Sequence, residues 1–472
     1  MIQSNILLIT TDEQRFDTIS ALGNPNIYTP HLNWLVDRGI AFTNAYADCP
    51  ICMPSRATIM TGLSGSSLGL IRNNTSIVPL QNRPTLPGIL TAGGYQTHAQ
   101  GKMHFHPIRA HYGFEEMELP LDYFREKQKY GRTASKQSGV GENEIEPVLT
   151  TAKEEDTMTW WTVDRSIDFL ETRDETRPFF LWTSFAKPHP PFDCCPNYWS
   201  LYQNLEMTEP ARGDWEAPGN MMAATWQLDN AWRLSPQQMR ESKKAYYACI
   251  TQIDYNLGRL FDRMREMGLL KNTCIIFTSD HGDMLGDHGM GAKTVFLEGS
   301  AHIPLLVVPP EGYFNKHPAP SIKCRQLVTL ADIMPTILSI CGLSCPACDG
   351  TDLIQVYKDN LERPYFGISS APCGYLSAVR WQNYKLLRDH VSGKELLFDI
   401  EHDPRELHNL FGLPEYTEVG TRYHALLEEY LRNHAPETLK KPASQSDDVL
   451  TDQDIPRWPG FHSNFCPTDV LH

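Results

Sequence analysis

No stretch of the 472-residue chain approaches the roughly 18 consecutive apolar residues that a membrane span requires. The best N-terminal run, residues 6–9, is cut off by Thr10-Thr11-Asp12-Glu13. Signal-peptide and anchor patterns are likewise lacking, which gives the expectation of a cytoplasmic protein with no membrane partner. Basic charge is scarce: 42 Lys and Arg face 57 Asp and Glu, a formal charge of -15. Such a field repels nucleic acid and any long polyanion without a local basic funnel, so nucleic acid is excluded as a partner. The sequence carries no internal repeat or low-complexity tract, and its 34 Pro and 31 Gly are spread rather than pooled, which excludes fibrous and disordered architectures. The 12 Cys have no export context in which disulfides would form, so free thiols are expected.

What is present is a globular composition, 41% hydrophobic and 21% charged, long enough for a large domain and a smaller one. Residues 5–10 read as a buried strand that stops at acidic residues. Helical spacing over 30–36, 56–60, 85–91, 157–170 and 236–267 alternates with strand-like runs at 40–42, 179–184 and 273–278. This alternation predicts an α/β sandwich with a largely parallel central sheet. A helix is expected over 327–340. Beyond it, short strands at 365–368, 376–380, 384–388 and 396–399 and a helix at 419–431 predict a smaller C-terminal α+β unit with a short antiparallel sheet. The expected division is 1–360 and 361–472, with 433–472 an extended tail. In open α/β sheets ligands collect beyond the carboxyl ends of the strands. Asp12, His189 and Asp280-His281 all follow strand ends there.

The segment Cys49-Pro50-Ile51-Cys52-Met53-Pro54-Ser55-Arg56 admits several chemistries. The CxxC spacing of Cys49 and Cys52 suits a thiol redox pair, but the second proline at position 54 does not suit a thioredoxin-like βαβ unit. A cysteine-dependent phosphatase needs a longer loop of amides than Cys52 to Arg56 provides. A residue at the start of a helix sits among free amides at a positive dipole end, suited to an anion, and Arg56 follows one turn later.

Cys52-x-Pro54-Ser55-Arg56 followed by Thr61-Gly62 resembles the signature of the type I, formylglycine-dependent sulfatases of the alkaline phosphatase superfamily. The resemblance implies an alkaline-phosphatase-like sandwich, and conversion of Cys52 by a formylglycine-generating enzyme to an aldehyde whose hydrate supplies the nucleophile. Residues 5–13 look like the family's first strand and first acidic metal ligands, Asp12 and Glu13, although the family usually has Asp-Asp or Asp-Gln there. Ser279-Asp280-His281-Gly282 resembles the second ligand pair. The implied metal set is Asp12, Glu13, Cys52, Asp280 and His281, an oxygen-rich site for Ca²⁺, with Mg²⁺ as the alternative. Gly101-Lys102-Met103-His104 looks like the family's Gly-Lys-x-His element, with Lys102 and His104 on one side of an extended segment. Residues 187–192 match a histidine element with His189, and Gly291-Ala292-Lys293-Thr294 a second lysine element. Asn73 stands where related hydrolases carry a substrate-facing Asn. Residues 396–410 resemble the family's C-terminal Asp-Pro-x-Glu turn.

The implied reaction is hydrolysis of a carbohydrate or small aryl or alkyl sulfate. One hydroxyl of the hydrate attacks sulfur, Lys102, Lys293 and Arg56 grip the sulfuryl oxygens, and His189 protonates the leaving alcohol. His104 then deprotonates the remaining hydroxyl to release sulfate. Any single histidine among 17 is more often structural than catalytic, but five motif matches in order reverse that weighting. His106, His111 and His288 lack such support, although His288 lies near enough to Asp280 in sequence to line the pocket. Cys341, Cys345 and Cys348 have partly zinc-like spacing without a fourth ligand and read as loop residues. Asp283 and Asp287 read as loop carboxylates, and Cys194-Cys195 as incidental thiols. The rival from the same superfamily is a phosphonate monoester or phosphodiester hydrolase, whose members carry uncharged hydroxyl residues in place of Lys102 and His104. The remote rival is a CxxC redox protein. The charge of -15 disfavours long polysulfated chains, and self-association into a homo-oligomer is left open.

Overall fold

The strand Asn5–Asp12 has every residue buried, because it is flanked by strands on both edges and covered on both faces. In the computed structural model, which describes residues 3–435 apart from 74–79, 81, 133, 135–143, 217–233, 314–320, 372–373 and 391, it lies inside a nine-stranded sheet. From edge to edge the strands are Ile322–Thr329, Ile40–Tyr46, Leu305–Val308, Thr273–Ser279, Asn5–Asp12, Phe179–Pro188, Gln96–Gly101 and Glu116–Glu118, with the short His302–Ile303 also paired to Ile40–Tyr46. The sheet is mainly parallel. Leu305–Val308 runs antiparallel to both its neighbours.

Alternation along the central strands sorts side chains onto two faces. Ile6, Leu8, Phe180, Trp182 and Ile276 join one core cluster, with Ala57 and Ile59 of the helix Cys52–Thr61 and Ile333 and Ile337 of the helix Ile333–Ile340. Leu7, Ile9, Phe179, Leu181 and Ile275 join the other, beneath the helices Pro30–Arg38, Met158–Thr172 and Pro236–Glu266. The last two helices start on side-chain caps: Thr157 accepts from Trp160 N, and Ser235 forms a capping box with Gln238. The result is the expected α/β sandwich.

Four strands, Tyr365–Ala371, Gly374–Trp381, Tyr384–Asp389 and Glu395–Asp399, form the expected antiparallel C-terminal sheet. Val379, Leu386 and Leu397 face Tyr423 and Leu427 of the helix Thr417–His434. Leu376, Ala378, Leu387 and Phe398 face Tyr46, Met290 and Phe296 of the larger unit.

Several expectations are corrected. Residues 327–340 are not one helix: the strand Ile322–Thr329 pairs parallel to Ile40–Tyr46, and a capping box between Thr329 and Asp332 turns the chain into the helix Ile333–Ile340. Apolar spacing cannot separate a short buried strand from a helix start. The strands Gln96–Gly101 and Leu305–Val308 were also unforeseen, and the signature helix starts at Cys52 rather than Arg56. The expected tail lies outside the described residues from 436 onward. No helix among the described residues is long and apolar enough to cross a membrane.

Candidate active site

Parallel register brings the acidic residues together. Thr11 pairs with Ser279 and Asp12 with Pro188, so Asp12-Glu13, Asp280-His281 and His189 emerge at neighbouring strand ends. Cys52 opens its helix over this cluster after an extended Ile51. Its Sγ lies 3.2 Å from His281 Nε2 and 3.8 Å from Asp12 Oδ1. His281 Nδ1 lies 3.0 Å from Gly282 O, and a carbonyl only accepts, so Nδ1 carries a proton. Burial opposes a charged ring, but Asp280 and Cys52 push its pKa up to about 9, so Nε2 is protonated too and donates toward Cys52 Sγ. His189 Nδ1 is fixed in the same way by Pro190 O at 2.7 Å, which leaves its Nε2 3.5 Å from Glu13 Oε2.

Glu13 adopts a left-handed φ of 73°, a conformation that costs a non-glycine residue about 1 kcal/mol. Its N–H donates to Asp280 Oδ1 at 3.1 Å and its carbonyl accepts from the Tyr246 hydroxyl at 2.6 Å, which hold it there. Arg56 is wholly buried, with Nε on Asp280 Oδ2 at 2.9 Å and Nη1 on Lys102 O and Ser184 Oγ at 2.6 and 2.8 Å. Lys102 Nζ pairs with Asp12 Oδ2, and Lys293 Nζ with Glu13 Oε2 at 3.0 Å. The backbone N–H of Thr294 donates to Pro50 O at 3.1 Å, tying the Lys293 loop to the signature loop.

These charges perturb one another. Burial pushes the Asp12 carboxyl up, yet Lys102, His189, Arg56 and Lys293 hold it well below the usual carboxylate range. Glu13, pushed up to about 8 by burial against the pull of Lys293, and Asp280, raised by burial and Asp12, are the uncompensated members. Burial and Asp12 oppose ionisation of Cys52, but Lys293, Lys102 and His281 bring its thiol well below the ordinary range. Cys49 is the contrast: it is buried in an apolar cluster with Ile51, Ile71 and Ile368, and burial raises its pKa.

Asp12, Cys52, Asp280 and His281 place ligand atoms within 4.8 Å of one another, and so do Asp12, Glu13 and His189. Glu13 Oε1 is buried without a hydrogen bond among the described residues. Three buried carboxylates with an orphaned oxygen, beside an imidazole whose Nε2 proton a cation would displace, fit a hard divalent cation.

His104 is half-buried, two residues beyond Lys102. The strand ends at Gly101, whose φ is 92°, and His104 has φ 55°, so the alternation expected of an extended segment stops before Lys102. Asn73 accepts the Met53 N–H at 3.1 Å and thereby caps the signature helix. His288 does not line this site: its Nδ1 pairs with Glu216 at 2.6 Å. Asp287 pairs with Arg15, and Asp283 is wholly buried, where its charge helps to raise Glu13. Sequence reasoning missed Ser184 and Tyr246. Ser184 sits at a legible strand end without a motif around it, and Tyr246 lies mid-helix, where nothing marks it.

Known proteins are similar to this chain in sequence and in fold. A family model described as Sulfatase matches residues 4–343, and one described as N-sulphoglucosamine sulphohydrolase, C-terminal, matches 286–433. An arylsulfatase of Clostridium perfringens is 31% identical over 451 residues, covering 88% of this chain and 91% of that protein. A choline-sulfatase of Rhizobium meliloti is 30% identical over 437 residues, 86% and 82% of the two chains. In fold, the chain resembles BT4656 solved with its substrate D-glucosamine-2-N,6-O-disulfate, at TM-score 0.75 and 22% identity over 92% of this chain and 99% of that one. It also resembles the phosphonate monoester hydrolase of Agrobacterium radiobacter, at TM-score 0.76 and 24% identity over 92% and 96%. Family membership implies a metal ion and a cysteine converted to formylglycine, and the grouped ligand atoms of Asp12, Cys52, Asp280 and His281 could hold an ion. The chain is thus a sulfuric ester hydrolase and belongs to the sulfatase family of the alkaline phosphatase superfamily.

Proposed function

We propose that this enzyme hydrolyses the sulfate ester of a small aryl or alkyl alcohol, a monosaccharide or an oligosaccharide, with Cys52 oxidised to formylglycine by a formylglycine-generating enzyme. Ca²⁺, with Mg²⁺ as the alternative, would be held by Asp12, Glu13, Asp280 and His281 beside residue 52, and when bound would supply Lewis-acid polarisation of the sulfuryl oxygens. The hydrated aldehyde supplies a hydroxyl nucleophile. The observation that carries the reading is the position of Cys52: a helix N-terminus within reach of His281 and Asp12, in a field of Lys102, Lys293 and His281 that favours an anion at that atom. The same field favours an ionised hydroxyl there.

Lys102 and Lys293 rest on Asp12 and Glu13, the carboxylates that a cation would engage, and their ammonium groups are the ones offered to the sulfuryl oxygens. Arg56 spends Nε and Nη1 on Asp280, Lys102 O and Ser184, so it positions these groups, and its Nη2 remains without a partner among the described residues. His189, with Nδ1 fixed, presents Nε2 as the proton donor to the leaving alcohol. His104 is assigned the base that releases sulfate. The division into 1–360 and 361–472 belongs to the same proposal, with the C-terminal unit bordering the substrate.

Intact mass of the Cys52 peptide, followed by turnover on a panel of sugar sulfates, aryl sulfates and a phenyl phosphonate, tests the reading. An aldehyde-mass peptide with preference for a sulfate is expected. Preference for the phosphonate over every sulfate would transfer the enzyme to the rival class represented by the phosphonate monoester hydrolase fold.

A further inference from the structure

The chain between the helices Ile333–Ile340 and Leu353–Asp359 carries a second CxxC, Cys345-Pro346-Ala347-Cys348, which the hydrolysis leaves unused. Its two Sγ atoms lie 3.8 Å apart. Among the described cysteines Cys345 alone is exposed and Cys348 is half-buried, whereas the others are buried. An outside reagent therefore meets Cys345 first, with Cys348 standing behind it.

The loop is held by contacts outside the pair. The N–H groups of Asp349 and Gly350 donate to Gly62 O at 2.9 and 3.2 Å, and Asp349 Oδ2 accepts from Ser64 N and Ser64 Oγ, both at 2.8 Å. Gly62, with φ 66°, ends the helix Cys52–Thr61, and a Cβ there would lie 3.0 Å from Cys348 Cβ. Cys348 is thus packed against the end of the helix that Cys52 opens. Pro346 fixes one backbone dihedral between the two thiols, which lowers the entropy lost on joining them.

A structural zinc needs four ligands, and among the described residues no third ligand atom of a His, Cys, Asp or Glu joins this pair. A disulfide needs only the two sulfurs, brought to roughly 2.0 Å. Burial and the neighbouring Cys348 raise the Cys345 thiol above its ordinary range. A dithiol whose thiolates are not stabilised forms a disulfide that resists reduction, the opposite of a strongly oxidising redox catalyst.

We propose that Cys345 and Cys348 are a modification site, oxidised to an intramolecular disulfide by a low-molecular-weight disulfide such as oxidised glutathione. The Cys345 thiolate attacks one sulfur of the reagent, breaking its S–S bond, forming a mixed disulfide and releasing one thiolate. The Cys348 thiolate then attacks Cys345 Sγ, which forms the internal bond and expels the second thiolate. The two released thiolates take up the two protons that the cysteines give up, so two protein thiols are oxidised and the reagent's disulfide is reduced. The bond clasps the loop at the opposite end of a ten-residue helix from Cys52, roughly 15 Å along its axis.

Wild-type protein is equilibrated with oxidised glutathione, quenched in acid, denatured, alkylated and digested with trypsin, and the peptide 326–358 is weighed and fragmented. Cys341, which shares that peptide, should be alkylated, and the segment 345–348 should have lost two hydrogens, with dithiothreitol restoring both thiols to alkylation. Cys348→Ser should stop at the mixed disulfide, with glutathione kept on Cys345, and Cys345→Ser should leave Cys348 unreacted. Both variants should turn over an aryl sulfate as the wild type does. Two alkylatable thiols at 345 and 348 after oxidation, a glutathione adduct that persists with Cys348 present, or a bond that includes Cys341 would overturn the proposal. Zinc bound by the purified protein and lost in Cys345→Ser would overturn it in favour of a metal site. The wild-type digest decides the matter even if Cys348→Ser fails to fold.

Discussion

Cys49 and Cys52 are three positions apart and both buried, yet their thiols feel opposite fields, apolar for one and cationic for the other. Cys52→Ala should therefore abolish turnover while the far-ultraviolet spectrum is retained, and Cys49→Ala should leave turnover nearly unchanged. Equal damage from both would restore the redox reading. Arg56 is the sole ion-pair partner of Asp280 other than His281 among the described residues, and both are fully buried. Removing one partner of a buried pair costs roughly 3–5 kcal/mol, so Arg56→Ala should show that loss in denaturant unfolding as well as a loss of activity. Burial, Lys293 and Lys102 hold His189 well below the ordinary histidine range. An acid must be protonated to act, and a depressed pKa moves that requirement to lower pH. For sugar sulfates kcat/KM should thus decline with rising pH from below about 6.5, whereas an aryl sulfate with a good leaving group should lack this limb. His189→Ala should harm the sugar sulfates far more, and equal loss on both would remove it from the acid role.

At the level of elements, Gly101 shows how tightly a strand end can be specified. A Cβ there would lie 2.0 Å from Ser184 O, and the residue has φ 92°. Gly101→Ala should destabilise the protein by more than about 1 kcal/mol, measured by urea unfolding, and displace Lys102 with a fall in activity. A stability change within experimental error would show that the Lys102 segment adapts. The long helices and the C-terminal sheet were legible in the sequence because their period of near four or of two is set by burial on one face, and the first strand because its continuous apolar run stops sharply at Thr11-Asp12-Glu13. Leu305–Val308 was not, since Pro304 and Pro309-Pro310 close in on both its ends, and neither was the end of Ile322–Thr329, where the strand runs into a capped turn. In the site, Asp12, Cys52, Asp280 and His281 could be read from motif and strand end. The left-handed turn that takes His104 off the strand, and the contacts of Ser184 and Tyr246, depend on segments distant in sequence, which no local pattern encodes.

Across the whole molecule, two charge clusters join separate parts of the chain. The first is the acidic cluster beside Cys52. Chelation should remove activity, with Ca²⁺ or Mg²⁺ restoring it, and restoration by Zn²⁺ alone would count against an oxygen-rich site. The second cluster fastens the C-terminal sheet to the sandwich through Glu298, Lys385 and Glu406. Burial raises Glu298, but Lys385 and His302 bring it down to about 2. Its folded pKa is depressed, so the stability it contributes is present above about 4.3, its unfolded value, and is lost as pH falls toward about 2. Urea unfolding at pH 5 and pH 2.5 should show a smaller difference in Glu298→Gln than in the wild type. The position of Leu305–Val308 between Ile40–Tyr46 and Thr273–Ser279 also carries a consequence for synthesis on the ribosome. The strand that leads into Cys52 has no sheet partner until residues past 300 have been made, because its neighbours are His302–Ile303, Leu305–Val308 and Ile322–Thr329. Cys52, only 1% exposed once the fold closes, therefore follows a strand that stays unpaired during the long interval in which most of the chain is still being translated.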